Sequence, residues 1–131
     1  MAAPTNKGNV LIVDDQRVVL RVFQQALEKA GYAVRVADAA AVALEEVRSA
    51  RPDAILLDMT MPYVNGLGFI YRLRETAPDI PVAIVTGNAV TEETQEELDT
   101  LGVAVHFKPL TASQIEGVVD TLLKPASGGA A

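Results

Sequence analysis

The sequence predicts an α/β fold in which a doubly wound, five-stranded parallel sheet carries helices on both faces. Three observations carry this expectation. Short apolar runs alternate with longer stretches of helical period, strand then helix, five times over. The runs Val10–Val13, Ala54–Leu57 and Val82–Val85 are apolar without alternation, as strands buried on both faces are. Finally, polar groups follow four of the runs: Asp14-Asp15, Asp58, Thr86 and Lys108.

Composition narrows the class. At 131 residues the chain fits one domain, and half its residues are hydrophobic, enough to build a core. A net charge of -6 argues against nucleic acid as a direct partner, because phosphate binding needs a clustered basic surface. Cysteine is absent, which excludes disulfides and thiolate metal sites. No apolar run approaches the roughly 20 residues of a membrane span, and Met1 to Asn9 lack the pattern of a signal peptide. The expectation is a cytoplasmic protein without membrane attachment.

The elements follow in order. Residues 1–8 read as a flexible arm, and Val10–Val13 form the first strand. From Gln16 to Ala30 the period becomes helical, with Val19, Val22, Phe23, Ala26 and Ala30 on the apolar side; Gly31 ends that helix in a left-handed turn. Tyr32–Ala37 alternates, with Val34 and Val36 on one side and Arg35 on the other, as an edge strand does. Asp38 is placed to cap the next helix, whose buried face is Val42, Leu44 and Val47; Pro52-Asp53 breaks it. Ala54–Asp58 is the central strand. A loop through Pro62 and Gly66 leads to a helix with Leu67, Phe69, Ile70 and Leu73, and Pro78 and Pro81 bracket the following connection. Val82–Val85 is the fourth strand, Glu92–Leu101 a helix closed by Gly102, Val103–Phe107 the fifth strand, and Thr111–Leu123 the last helix. Residues 125–131 have the composition of a disordered tail or the start of a linker, which leaves 9–124 as the domain.

Ligands of such sheets bind beyond the carboxyl ends of the strands, where strand order reverses. In the order 2-1-3-4-5 that point lies between the first and third strands, which end in Asp14-Asp15 and Asp58. Carboxylates crowded there repel each other; two unit charges 4 Å apart cost about 4 kcal/mol at an effective dielectric near 20. Lys108 offsets part of this. A hard divalent cation offsets more, because Mg2+ takes oxygen ligands and commonly uses one or two carboxylates with waters and a phosphate. A carboxylate is also a nucleophile toward phosphorus, and a lysine and a hydroxyl can hold the remaining phosphoryl oxygens. Gly87 lets the backbone approach such a group closely.

These residues resemble the receiver domain of two-component response regulators, a flavodoxin-like fold. The resemblance covers Asn9 to Lys124 and rests on Asp14-Asp15, on Asp58 with Met61-Pro62 and Gly66, on Thr86-Gly87, and on Lys108-Pro109. It implies that Asp58 accepts a phosphoryl group, that Asp15, Asp58 and the Thr60 carbonyl bind Mg2+, and that Asp14 assists through water. It implies that Lys108 contacts the phosphoryl group, that Thr86 moves to hydrogen-bond it, and that the Lys108–Pro109 peptide is cis. The implied partners are a sensor histidine kinase or phosphotransfer protein and a downstream protein or output domain, with a homodimer through helix 4, strand 5 and helix 5 as a further expectation. Such a domain is no enzyme beyond its own phosphoryl transfer and dephosphorylation. One position departs from the pattern. The family usually carries an aromatic residue three positions before the lysine; here it is Val105, and the strand's aromatic is Phe107.

Each residue alone has an ordinary explanation. Asp15 can cap a helix, Thr86 is a β-branched strand residue, Lys108 can be a solvated edge charge and Asp58 a turn residue. Their placement at successive strand ends favours the switch. His106 reads as a partly exposed strand residue. The run Glu92, Glu93, Glu96, Glu97 and Asp99 reads as a solvated helix face, or as a docking face for a basic partner. Val105 favours the alternative of an interaction scaffold without a working switch. An aspartyl-nucleophile phosphatase of the haloacid dehalogenase type wants a second aspartate where Thr60 stands, and a flavin binder wants a phosphate-cradling loop where Asp14-Asp15 stand.

Overall fold

The computed structural model describes residues 7–14, 16–58, 66–87 and 89–123. Five strands and five helices alternate: β1 (Asn9–Val13), α1 (Arg17–Lys29), β2 (Ala33–Ala37), α2 (Ala40–Ser49), β3 (Ala54–Leu57), α3 (Gly66–Thr76), β4 (Val82–Thr86), α4 (Glu92–Leu101), β5 (Ala104–Phe107) and α5 (Ala112–Leu123). The strands form one parallel sheet in the expected order, β2-β1-β3-β4-β5. Among the described residues no helix is long and apolar enough to cross a membrane. Asp15, Thr60, Met61, Pro62, the side chain of Val19, the first six residues of the arm and the tail 125–131 lie outside the described residues.

The central strands are buried because the pleat sends alternate side chains into two cores. Leu11, Val13, Ile55, Leu57, Val82 and Ile84 face α2, α3 and α4, where they meet Leu44, Val47, Phe69, Ile70, Leu73 and Leu98. Val10, Ile12, Leu56, Ala83 and Val85 face α1 and α5, where they meet Leu20, Phe23, Leu27, Ile115, Val118 and Val119. Each fully buried aliphatic side chain contributes about 1.5–3 kcal/mol. The register is set by this two-sided burial, with Val13 beside Leu57 and Leu57 beside Ile84.

Both glycine stops act as expected. Gly31 has φ 106° and Gly102 has φ 73°. At the first, Gly31 N–H donates to the Glu28 carbonyl and Tyr32 N–H to the Leu27 carbonyl; at the second, Gly102 N–H donates to Asp99 and Val103 N–H to Leu98. This double closure satisfies carbonyls left open at a helix end.

Four local expectations are corrected. Val22 is exposed; the buried face of α1 is Leu20, Phe23 and Leu27, so this helix carries more apolar residues than its core stripe needs. Val42 is exposed as well, and Ala43 takes its place beside Leu44 and Val47. Asp38 does not cap α2, whose N-cap is Ala39 without a side-chain bond. The edge strand β2 lacks clean alternation: Val36 is exposed while Arg35 is half-buried. The guanidinium explains this, because it donates to Glu46 Oε1 at 2.8 Å, to the Glu46 carbonyl at 3.1 Å and to the Ala50 carbonyl. Arg35 thus closes the carbonyl end of α2, where a cation also meets the negative end of the helix dipole.

Candidate functional site

Each chemistry-bearing residue is delivered by a strand end. Val13 and Leu57 are neighbours in the sheet, so Asp14 and Asp58 emerge side by side. Thr86 closes β4 and pairs with Phe107, which places Lys108 one residue beyond it. The backbone holds these ends: Asp58 N–H donates to the Val13 carbonyl at 2.9 Å, Asp14 N–H to Ala37 at 3.0 Å, and Lys108 N–H to Thr86 at 2.8 Å. The Lys108–Pro109 peptide is cis.

Asp14, Asp58 and Thr86 are the buried polar residues among those described, exposed by only 2%, 3% and 1%. A carboxylate buried to that degree needs a partner. Lys108 supplies it twice: its ammonium lies 3.0 Å from Asp14 Oδ2 and 3.1 Å from Asp58 Oδ2. Asp14 Oδ1 also accepts the Gln16 N–H at 2.9 Å. Sequence reasoning gave Lys108 a phosphoryl contact. It also set Lys108 against the repulsion of the crowded carboxylates, and the structure resolves this into contacts with both Asp14 and Asp58; it missed the Gln16 and Ala37 backbone contacts, which no side-chain pattern announces.

The pair's electrostatics pull in different directions. Burial raises the Asp14 carboxyl above its ordinary range, and the Asp58 charge adds to this; the Gln16 N–H and Lys108 oppose it without prevailing. Burial alone would lower the Lys108 ammonium. The hydrogen bonds and charges of Asp14 and Asp58 outweigh burial and raise it. Lys108 therefore stays cationic at neutral pH. Both carboxylates offer the hard oxygen donors that Mg2+ takes, so the chemistry of the donor set fits that ion.

Around this centre, no atom of the described residues beyond its chain neighbours lies within 4 Å of where a Cβ on Gly87 would stand. Val105 is half-buried and packs against the α2–α3–α4 core. Phe107, on the same face of β5, is exposed beside Thr86. His106 is half-buried and lines the groove between β5 and α5.

Comparison with known proteins agrees with this arrangement. Residues 10–126 match the family described as the response regulator receiver domain. Response regulator MprA of Mycobacterium ulcerans is 33% identical over 115 residues, which cover 88% of this chain and 50% of that protein. Its counterpart in Mycobacterium sp. strain KMS is 31% identical over 118 residues, 90% of this chain and 51% of that one. The chain thus spans about half the length of the curated relatives it matches. Among solved structures, the chemotaxis protein CheY4 of Vibrio cholerae superimposes with a TM-score of 0.80 at 26% identity, covering 88% of this chain and 98% of that one. A CheY-like receiver domain protein from Methanospirillum hungatei JF-1 gives a TM-score of 0.82 at 26% identity, covering 88% and 92%. The sheet order, the four polar strand ends and these likenesses agree: the chain belongs to the response regulator receiver domain family.

Proposed function

We propose that this domain, residues 9–124, is a phosphorylation-driven signalling switch whose acceptor is Asp58. The observation that carries the reading is the buried Asp14–Lys108–Asp58 bridge at adjoining strand ends. The donor is a phosphohistidine of a sensor kinase or phosphotransfer protein. A carboxylate oxygen of Asp58 forms the new O–P bond, the donor's N–P bond breaks, and the histidine nitrogen leaves with the bonding pair and takes up a proton. Asp15, Asp58 and the Thr60 carbonyl, with Asp14 assisting through water, would hold Mg2+, which would supply positive charge to neutralise the phosphoryl oxygens. Lys108 leaves its carboxylate partners to bind a phosphoryl oxygen, Thr86 donates its hydroxyl to another, and Gly87 leaves room for the group. The change is then read in the cytoplasm by a downstream protein or output domain, or through a dimer formed by α4, β5 and α5.

Intact mass after incubation with acetyl phosphate tests this. One added phosphoryl group is expected, dependent on Mg2+ and lost in Asp58→Asn. Mg2+ should also raise the melting temperature of the wild type, and raise it less in Asp14→Asn and Asp15→Asn. Equal shifts in all three proteins would put the cation elsewhere. Val105 favours one second reading, a scaffold with a silent switch. Failure of both acetyl phosphate and beryllofluoride to bind would select it.

A further inference from the structure

The first two turns of α1 carry an unusual charge for a chain of net charge -6: Arg17 and Arg21, one helical turn apart and both exposed. Neither guanidinium has an ion-pair partner among the described residues. Together with Gln24 they form one wall of a groove of about 340 Å³, closed by Val36, Ala37 and Asp38 at the end of β2 and by Val42 of α2. The groove adjoins the phosphorylation site through the backbone. The Ala37 carbonyl on its floor accepts the Asp14 N–H, and Gln16, next to Arg17, donates its own N–H to Asp14. Arg17 thus follows Asp14 by three residues, and Arg21 stands one turn further along the same helix, so two cations without an ion-pair partner among the described residues open the helix that leads away from the acidic strand end.

We propose that Arg17 and Arg21 recruit the anionic phosphodonor, offsetting the repulsion that the acidic site and the chain's net charge impose on it. The proposal rests on Asp58 being phosphorylated, and it assigns these arginines a recognition role, without contact to the reacting atoms. A dianion approaching the crevice enters the field of these two guanidinium groups, and the effect fades as salt shortens the range of the field, from about 30 Å at 0.01 M to about 10 Å at 0.1 M. The dependence on donor charge separates recruitment from catalysis. Acetyl phosphate is a dianion at neutral pH, whereas phosphoramidate carries a smaller net charge.

The test compares initial rates of Asp58 phosphorylation in wild type and in the R17Q/R21Q double variant, with each donor, at low and at high salt. The expected result is a loss of about three-fold or more with acetyl phosphate at low ionic strength, a smaller loss with phosphoramidate, and convergence of the two proteins at high salt. Unchanged melting temperature and Mg2+ response in the variant exclude a structural cause. A wild type that takes label from both donors, with a variant that matches it at every salt concentration, overturns the recruiting role alone. An equal loss with both donors that salt does not relieve overturns it too, because that pattern belongs to damaged chemistry. A wild type that takes no label from either donor removes the functional reading and this inference together.

Discussion

Helices α4 and α5 flank the strand β5 from opposite faces of the sheet, and they are held very differently. α5 buries Ile115, Val118 and Val119, and Leu122 and Leu123 pack beside them. Its start is locked reciprocally: Gln114 N–H donates to Thr111 Oγ1 at 3.1 Å, while Thr111 N–H donates to Gln114 Oε1 at 2.8 Å. Its far end is tied by the Tyr32 hydroxyl, which donates to Asp120. α4 buries Leu98 alone and is otherwise anchored by the half-buried Val90 and Leu101 and by the Tyr71 hydroxyl on Glu97. Its acids suit the first turn, where Glu92 and Glu93 meet the positive end of the helix dipole. Further along, Glu96, Glu97 and Asp99 have no base in the last turn to balance them. Like charges one turn apart, as in Glu92–Glu96 and Glu93–Glu97, weaken a helix by a few tenths of a kcal/mol each. The lesson concerns where motion is cheap. α4 follows Thr86 and Gly87 and rests on one fully buried leucine with half-buried Val90 and Leu101, so displacing it uncovers less apolar surface. Moving α5 means breaking a core.

Truncating each helix's main anchor gives the largest contrast. Ile115→Ala should lower global stability by about 2–5 kcal/mol, the usual cost of a deep aliphatic truncation, read from denaturant midpoints. Leu98→Ala should cost less globally, because α4 can loosen without the rest. Hydrogen exchange should show α4 amides opening while β1 and β3 stay protected. Equal global losses with uniform exchange would mean that α4 belongs to the same cooperative unit as α5.

The polar ties should follow in the same order. Tyr32→Phe should cost about 1 kcal/mol, the net worth of one buried hydrogen bond. Burial first, then the bond to Asp120, pushes the Tyr32 phenol up to about 12 from 10.0. A group with its folded value raised stabilises fully below its unfolded value and loses this as pH rises through the folded one. The Tyr32 contribution should therefore persist below pH 10 and vanish toward pH 12, and in the folded protein tyrosinate absorbance should show a late step missing from Tyr32→Phe. A Tyr32 that titrates at its ordinary value would sever α5 from the β2 side of the molecule. The smallest effect belongs to Tyr71→Phe. Tyr71 is exposed, so its global cost should be the smallest of the four. A loss as large as that of Tyr32→Phe would show that α4 is pinned more firmly than its burial implies.

Much of this was legible in the sequence. Strands buried on both faces need uninterrupted apolar runs, so β1, β3 and β4 stand out, and a polar residue directly after each run marks its open end. Helix stops were legible because left-handed backbone at Gly31 and Gly102 calls for glycine. The helix faces were harder. Val22 and Val42 satisfy a helical period as well as buried residues do, and only the placement of the sheet decides which stripe is covered. Asp38 has the right chemistry for a cap, but the helix starts too late to use it. The Thr111–Gln114 box is readable from its spacing alone. Contacts between distant residues, such as Tyr32 with Asp120 or one lysine with two aspartates, have no local signature. Asp14, Asp58, Thr86 and Lys108 could each be found, but their mutual geometry depends on strand order and register.

The double-ended division of labour in the sheet has a consequence for rearranging the chain. All the chemistry-bearing side chains leave the carboxyl ends of strands. The connections at the opposite end, through Gly31-Tyr32, Pro52-Asp53, Pro78–Pro81 and Gly102-Val103, contribute none of them. A circular permutation opened at Pro78–Pro81 leaves every strand register intact, and with it the Asp14–Lys108–Asp58 bridge. Deleting a single residue within β3 is the opposite case: it withdraws Asp58 by about 3.3 Å and turns its side chain to the other face. The site tolerates new connectivity far better than a change of one residue in strand length.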